Sequence, residues 1–248
     1  MMTPAGEQLA ARARDILSQA EDFERHAAAL LDPLSGDMHL GLVPTVAPYL
    51  LSRIMNALSD ALPGVRFYLH EQQTQVLLKQ LDRGELDLLI LPWRDEMAPF
   101  DRFDLFMEEL WLATPPDHAL QTKKTTKLSD LQGQHVLTLE DGHCLRDDTM
   151  QYCFAAGADE DQRFRATSLE TLRYMVSNGV GITLIPELAI PFDDRETPND
   201  GVQYRRFSGA RPTRQISAIL RQGYPRISCI REIVRVVRNV MGQPRGRL

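Results

Sequence analysis

The sequence predicts a two-lobed α/β fold preceded by a long helix, and three observations carry that expectation. Apolar residues near the N-terminus recur at heptad spacing. From His39 onward, short apolar strands alternate with amphipathic helices in two successive sets. After the second set the chain runs back through two strands into a last amphipathic helix. A chain of 248 residues is long enough for two compact units, each with its own core.

The heptad seam is Leu9, Ala13, Ile16, Ala20, Phe23, Ala27 and Leu30, stepping alternately by four and three residues. Alanine at three of these seven positions fills little space, so the helix is expected to pack against a partner helix in a dimer. Asp32-Pro33 and Ser35-Gly36 end it.

The first α/β set has strands at His39–Val43, Val65–Leu69 and Leu86–Leu91, with helices beginning near Ala47 and Gln75. Such a βαβαβ unit implies a parallel sheet. The second set has strands at Leu110–Thr114 and His135–Leu139, a helix over 144–155, a strand at Phe164–Ala166 and a helix to Asn178. Thr167-Ser-Leu-Glu170 reads as a capping box for that helix, and Asn178-Gly179 as its stop. Strands follow at Ile182–Ile185, Val202–Arg206 and Gln215–Leu220. In the final helix, Ile230, Ile233, Val234, Val237 and Met241 oppose Arg231, Arg235 and Arg238. This arrangement is periplasmic-binding-protein-like, with a cleft expected between the lobes. The expected boundaries are a helix segment at 1–32, a first subdomain at 37–92 and 213–244, and a second at 93–212.

Composition is that of an ordinary globular protein, with 43% hydrophobic and 25% charged residues. No apolar run is long enough to span a bilayer, and Glu7, Arg12, Arg14 and Asp15 stand where a signal peptide needs apolar residues, so a cytoplasmic location without membrane attachment is expected. Residues 211–248 hold nine arginines against Glu232 alone, a net of +8, which leaves −14 over the first 210. A basic end of this kind binds nucleic acid in some proteins, but the periodicity favours an amphipathic helix with a solvated face. Only weak, salt-sensitive DNA binding is expected from it.

The sequence lacks a GxGxxG after a strand, a P-loop, HExxH, CxxC and GxSxG. His143-Cys144 has no second pair at metal-ligand spacing, so neither a metal nor a cofactor is expected. Three cysteines do not make a disulfide scaffold. Cys144 follows a strand and opens a helix, with His143 and Arg146 beside it. The positive end of the helix dipole and cationic neighbours favour a thiolate there. A lone cysteine is more often buried filler, but filler rarely sits in a turn flanked by His, Arg and Asp. Cys153, between Tyr152 and Phe154, reads by itself as core. Nine residues along one helix separate Cα atoms by about 13 Å, whereas a disulfide needs roughly 4.4–6.8 Å. A bond between the two cysteines therefore requires the segment to unfold. Thr45 and Thr74 each follow a strand and precede a helix, a position suited either to ligand binding or to helix capping. Cys229, among Ile227, Ile230 and Ile233, is expected to be core filler.

Leu139-Glu-Asp-Gly-His-Cys144-Leu-Arg-Asp147 through Cys153, Gly157-Ala-Asp-Glu-Asp161 and Phe164-Arg-Ala-Thr-Ser-Leu-Glu-Thr-Leu-Arg173 together resemble the LysR-type transcriptional regulators, and within them the OxyR-like hydrogen-peroxide sensors. Thr3-Pro-Ala-Gly-Glu7 resembles the end of a winged helix-turn-helix leading into a linker, or dimerisation, helix. The resemblance implies a regulatory domain in which Cys144 is the peroxidatic and Cys153 the resolving cysteine. It also implies that Thr45 in Leu42-Val-Pro-Thr45-Val, Thr74 in His70-Glu-Gln-Gln-Thr74, His143 and Asp147 surround the peroxide, with Arg146 and Arg214 as supporting polar partners. The implied partners are hydrogen peroxide, a second copy of the chain in a homodimer or homotetramer, and a glutaredoxin- or thioredoxin-type reductant. Promoter DNA and RNA polymerase would be reached only through a DNA-binding domain upstream of Thr3. The role is that of a stoichiometric sensor of oxidative stress rather than an enzyme. The alternatives are a LysR-type domain that binds a small metabolite, a thiol-dependent peroxidase, and a periplasmic solute-binding protein, the last disfavoured by the N-terminal charges.

Overall fold

The computed structural model describes residues 2–191 and 201–242. The chain divides into two compact units. Of these residues the first comprises 2–42, 53–105 and 217–242, and the second 43–52, 106–191 and 201–216. Residues 243–248, including the end of the expected first subdomain, and 192–200 lie outside the described residues. No described helix is long and apolar enough to cross a membrane.

In the first unit, Pro4–Leu31 forms α1, which the Thr3 hydroxyl caps by accepting the Gly6 N–H at 3.1 Å. Leu9, Ile16 and Phe23 of the heptad seam are 72%, 66% and 74% exposed. Strands β1 (Gly36–Leu42), β2 (Val65–Glu71) and β3 (Leu88–Pro92) are parallel, with β1 in the middle. Helices α2 (Ala47–Ala61) and α3 (Thr74–Asp82) make the crossovers. Alternation sends Met38, Leu40 and Leu42 of β1 into the core. On its other face Gly41 makes room for Leu77, Leu86 and Leu89, because a Cβ there would lie 2.6 Å from Leu89 Cδ2. The third strand begins at Leu88 rather than Leu86. Asp87 instead turns its carboxylate onto the His39 N–H at 2.7 Å.

Strand β4 (Asp101–Thr114) begins nine residues before the expected Leu110, because its first half is partly exposed and carries charged side chains that hide the apolar signal. In the second unit it pairs antiparallel with β7 (Thr183–Pro186) and β8 (Gln203–Arg205), and it neighbours β9 (Thr213–Leu220). Strands β5 (His135–Leu139) and β6 (Asp159–Ala166) form a separate parallel pair. Helices α4 (Cys144–Ala155) and α5 (Leu169–Ser177) flank that pair. The cap of α5 is Ser168, whose Oγ accepts the Thr171 N–H at 3.1 Å, and not Thr167. That displacement by one residue frees Glu170 to accept the Tyr49 hydroxyl at 2.9 Å. The core of this unit gathers Leu110, Leu112, Leu137, Leu145, Cys153, Leu172 and Ile185.

The last helix, α6 (Ile227–Met241), belongs mainly to the first unit. It buries Cys229, Ile230, Ile233 and Val237 and exposes Arg231, Arg235 and Arg238, the amphipathic arrangement that the spacing predicts.

Candidate functional site

Strand β5 ends at Leu139, and the chain must turn sharply before α4. Gly142 makes that turn at φ 92°, a conformation that disfavours any Cβ. His143 is the N-cap of α4 and contributes no side-chain capping bond, so Cys144 is the first helical residue. Cys144 therefore lies at the positive end of the helix dipole. It is only 5% exposed, and His143 is buried at 8%.

Three segments meet at Cys144 within the second unit. Thr45, in the turn between β1 and α2, is buried, with Oγ1 3.9 Å from Cys144 Sγ. Its hydroxyl accepts the Arg214 Nη1–H at 3.1 Å, while the Thr45 carbonyl accepts Nη2–H at 3.1 Å. Arg214 comes from β9 and is buried, and its Nε donates to Glu108 Oε2 of β4 at 2.8 Å. Burial pulls the Arg214 pKa down, but the charges of Glu108, Cys144 and Asp148 more than offset it, leaving the guanidinium above its ordinary value. The cation is thus permanent, and Cys144 lies within its field.

Other expected residues are placed differently. Arg146 directs its guanidinium to both oxygens of Glu160 on β6, each at 3.0 Å, and to Asp141 at 3.4 Å. Glu160 ties it to β6, so it clamps the start of α4 to that strand. Asp147 is exposed on α4, whereas Asp148, four residues after Cys144 and on the same helix face, is 3% exposed. Thr74 belongs to the first unit. It is the first residue of α3 after the cap Gln73, and its buried Oγ1 has no hydrogen-bond partner among the described residues.

Cys153 shares α4 with Cys144, and none of the three cysteines is in a disulfide. Burial pushes the Cys153 thiol up to about 12. Cys229 is fully buried in α6, and burial raises its pKa as well. Among the described residues no three metal-ligating side chains come together.

Sequence reasoning missed Glu108 and Asp148. Glu108 had a signal: it stands on the buried parity of β4, in step with Leu110 and Leu112, where an acid has to have a partner. Arg214 occupies the same kind of position on β9, in step with Ile216.

A model of the LysR substrate-binding domain matches residues 32–242. The chain belongs to this family. Over 225 residues it is 46% identical to the hydrogen peroxide-inducible genes activator of Dickeya chrysanthemi, covering 91% of this chain and 73% of that one. Over 238 residues it is 44% identical to the DNA-binding transcriptional dual regulator OxyR of Escherichia coli K12, covering 96% of this chain and 77% of that one. The crystal structure of the oxidised form of OxyR superposes with a TM-score of 0.77 at 46% identity, covering 85% of this LysR-family chain and 98% of that chain. The similar proteins are transcriptional regulators rather than enzymes, and the two-lobed α/β fold is shared with them.

Proposed function

We propose that the chain is the redox-sensing regulatory region of a LysR-type regulator of oxidative-stress genes, with Cys144 as the thiol that meets hydrogen peroxide. The observation that carries this reading is the placement of Cys144 at the N-terminus of α4, with its sulfur facing the Thr45 hydroxyl that Arg214 holds. Similarity to the OxyR proteins supports it.

In the first step the Cys144 thiolate attacks one peroxide oxygen. The S–O bond forms as the O–O bond breaks, sulfur loses two electrons, and the departing hydroxide takes a proton to become water. Cys153 then condenses with the sulfenic acid, releasing a second water and forming the disulfide. Its high pKa keeps Cys153 protonated and unreactive inside the folded helix, so condensation follows opening of α4. Thr45 and Arg214 are assigned to the peroxide site on their placement beside Cys144, and His143, Arg146, Asp147 and Thr74 on the resemblance alone. The oxidised segment then alters assembly through α1 and the surfaces near α4. Self-association through α1, a dithiol reductant, and DNA and polymerase contacts through a winged helix belong to the same reading.

The test is to titrate the reduced protein with micromolar H2O2 and map thiols by mass spectrometry. A loss of two hydrogens confined to the peptides of Cys144 and Cys153 is expected. Thiols that ignore peroxide would reject the reading in favour of a metabolite-binding domain, and sustained consumption of peroxide with a thiol reductant would favour a peroxidase.

A further inference from the structure

Glu108 joins three elements with one buried carboxylate. Oε1 accepts the Leu188 N–H at 2.9 Å, and Oε2 takes both Nε and Nη2 of Arg214 at 2.8 Å. Both side chains are 1% exposed. Among the charges that repay the desolvation of this buried guanidinium Glu108 is the largest and the one that hydrogen-bonds it, so removing it loosens the position of Arg214. The carboxylate therefore fixes the plane of Arg214, and two of the remaining N–H groups fall on Thr45 Oγ1 and the Thr45 carbonyl.

The polarity of the next bond follows from chemistry. Arginine has five N–H donors and no acceptor, so Thr45 Oγ1 has to accept from it. The hydroxyl has one hydrogen of its own, and that hydrogen is free of the guanidinium. Cys144 Sγ lies 3.9 Å from the same oxygen, and once ionised the sulfur only accepts.

We propose that Glu108 is a positioning residue for oxidation of Cys144: it holds Arg214 against Thr45, so that the Thr45 hydroxyl turns its hydrogen to the sulfur. This rests on the reading that Cys144 reacts with peroxide. Glu108 touches neither the sulfur nor the peroxide and acts only through Arg214 and Thr45.

A double-mutant cycle tests the coupling. Reduced chains carrying Thr45→Val, Glu108→Gln, Glu108→Asp and each Glu108 change combined with Thr45→Val are mixed with H2O2 in stopped flow, and oxidation of the Cys144 peptide is followed. Gln offers one acceptor oxygen where Leu188 and Arg214 need two. Asp keeps the charge but withdraws it by one methylene, so it carries the cycle alone if Glu108→Gln does not fold. Each single variant is expected to slow the reaction at least about tenfold, and each combination to be no more than about twofold slower than Thr45→Val alone, since coupled residues do not add. Glu108→Asp should also raise the pH midpoint of Cys144 alkylation in the same direction as Thr45→Val, a shift that loss of stability alone does not produce. Losses that multiply, or an alkylation midpoint at the wild-type value in Glu108→Asp, would overturn the role of Glu108. A wild-type Cys144 inert to H2O2 would instead remove the peroxide reading itself.

Discussion

Oxidation of Cys144 and Cys153 to a single disulfide is the perturbation that the helix geometry opposes most directly. Nine residues of α4 separate the two, which at about 1.5 Å per residue is about 13 Å between Cα atoms. A disulfide tolerates roughly 7 Å at most, so α4 has to give up its helical path. Leu145 and Met150 lie between the cysteines and are 1% and 6% exposed. Withdrawing two such side chains from a core costs about 3–6 kcal/mol. On a two-electron couple that is on the order of 60–130 mV, and an unstrained structural disulfide lies below about −300 mV. The Cys144–Cys153 couple is therefore expected near −200 mV, within reach of a cellular dithiol reductant. Equilibration in glutathione redox buffers, acid quenching and mass spectrometry of the alkylated peptides give the potential. Hydrogen exchange over residues 141–155 should rise on oxidation, while β4 and β9 change little. A potential below about −300 mV, or exchange across α4 that oxidation leaves untouched, would refute the idea that the bond forms at the expense of the helix.

Three further outcomes follow from particular side chains. The buried thiol of Cys153 is raised from 9.0 to about 12, so its contribution to stability is complete below pH 9 and is lost as pH rises from 9 towards 12, at about 1.4 kcal/mol per pH unit. Urea unfolding at pH 8 and pH 10.5 should show a smaller alkaline loss in Cys153→Ala than in the parent, and equal losses would remove this thiol as the cause. Thr74→Val removes a buried hydroxyl without a partner among the described residues, so it should leave stability unchanged or raise it by up to about 1 kcal/mol. The same variant should slow peroxide oxidation of Cys144, and a wild-type rate in stopped flow would take Thr74 out of the site. Leu9, Ile16 and Phe23 present an apolar stripe along α1, so Leu9→Asp or Phe23→Asp should shift sedimentation at micromolar concentration from dimer towards monomer, and a monomeric parent would refute the seam.

The sequence alone determined what depends on neighbours along the chain. Alternation with period two placed β5 at His135–Leu139 to the residue, and helical periodicity gave α6 its buried and exposed faces. The turn before α4 was legible because Gly142 and the polar residues around it terminate one element and start the next. The first halves of β4 and β6 were not legible, because a strand held by backbone pairing while its side chains face water leaves little apolar pattern. Only the tertiary structure decided which charges meet. Arg146 and Arg214 look alike as cations in the sequence, but folding commits the first to Glu160 and Asp141 and brings the second to Glu108, 106 residues away. Nothing local encodes that choice. It arises because β4 and β9 are neighbours in the sheet, and each carries one buried charged residue, where each charge needs the other to be tolerated.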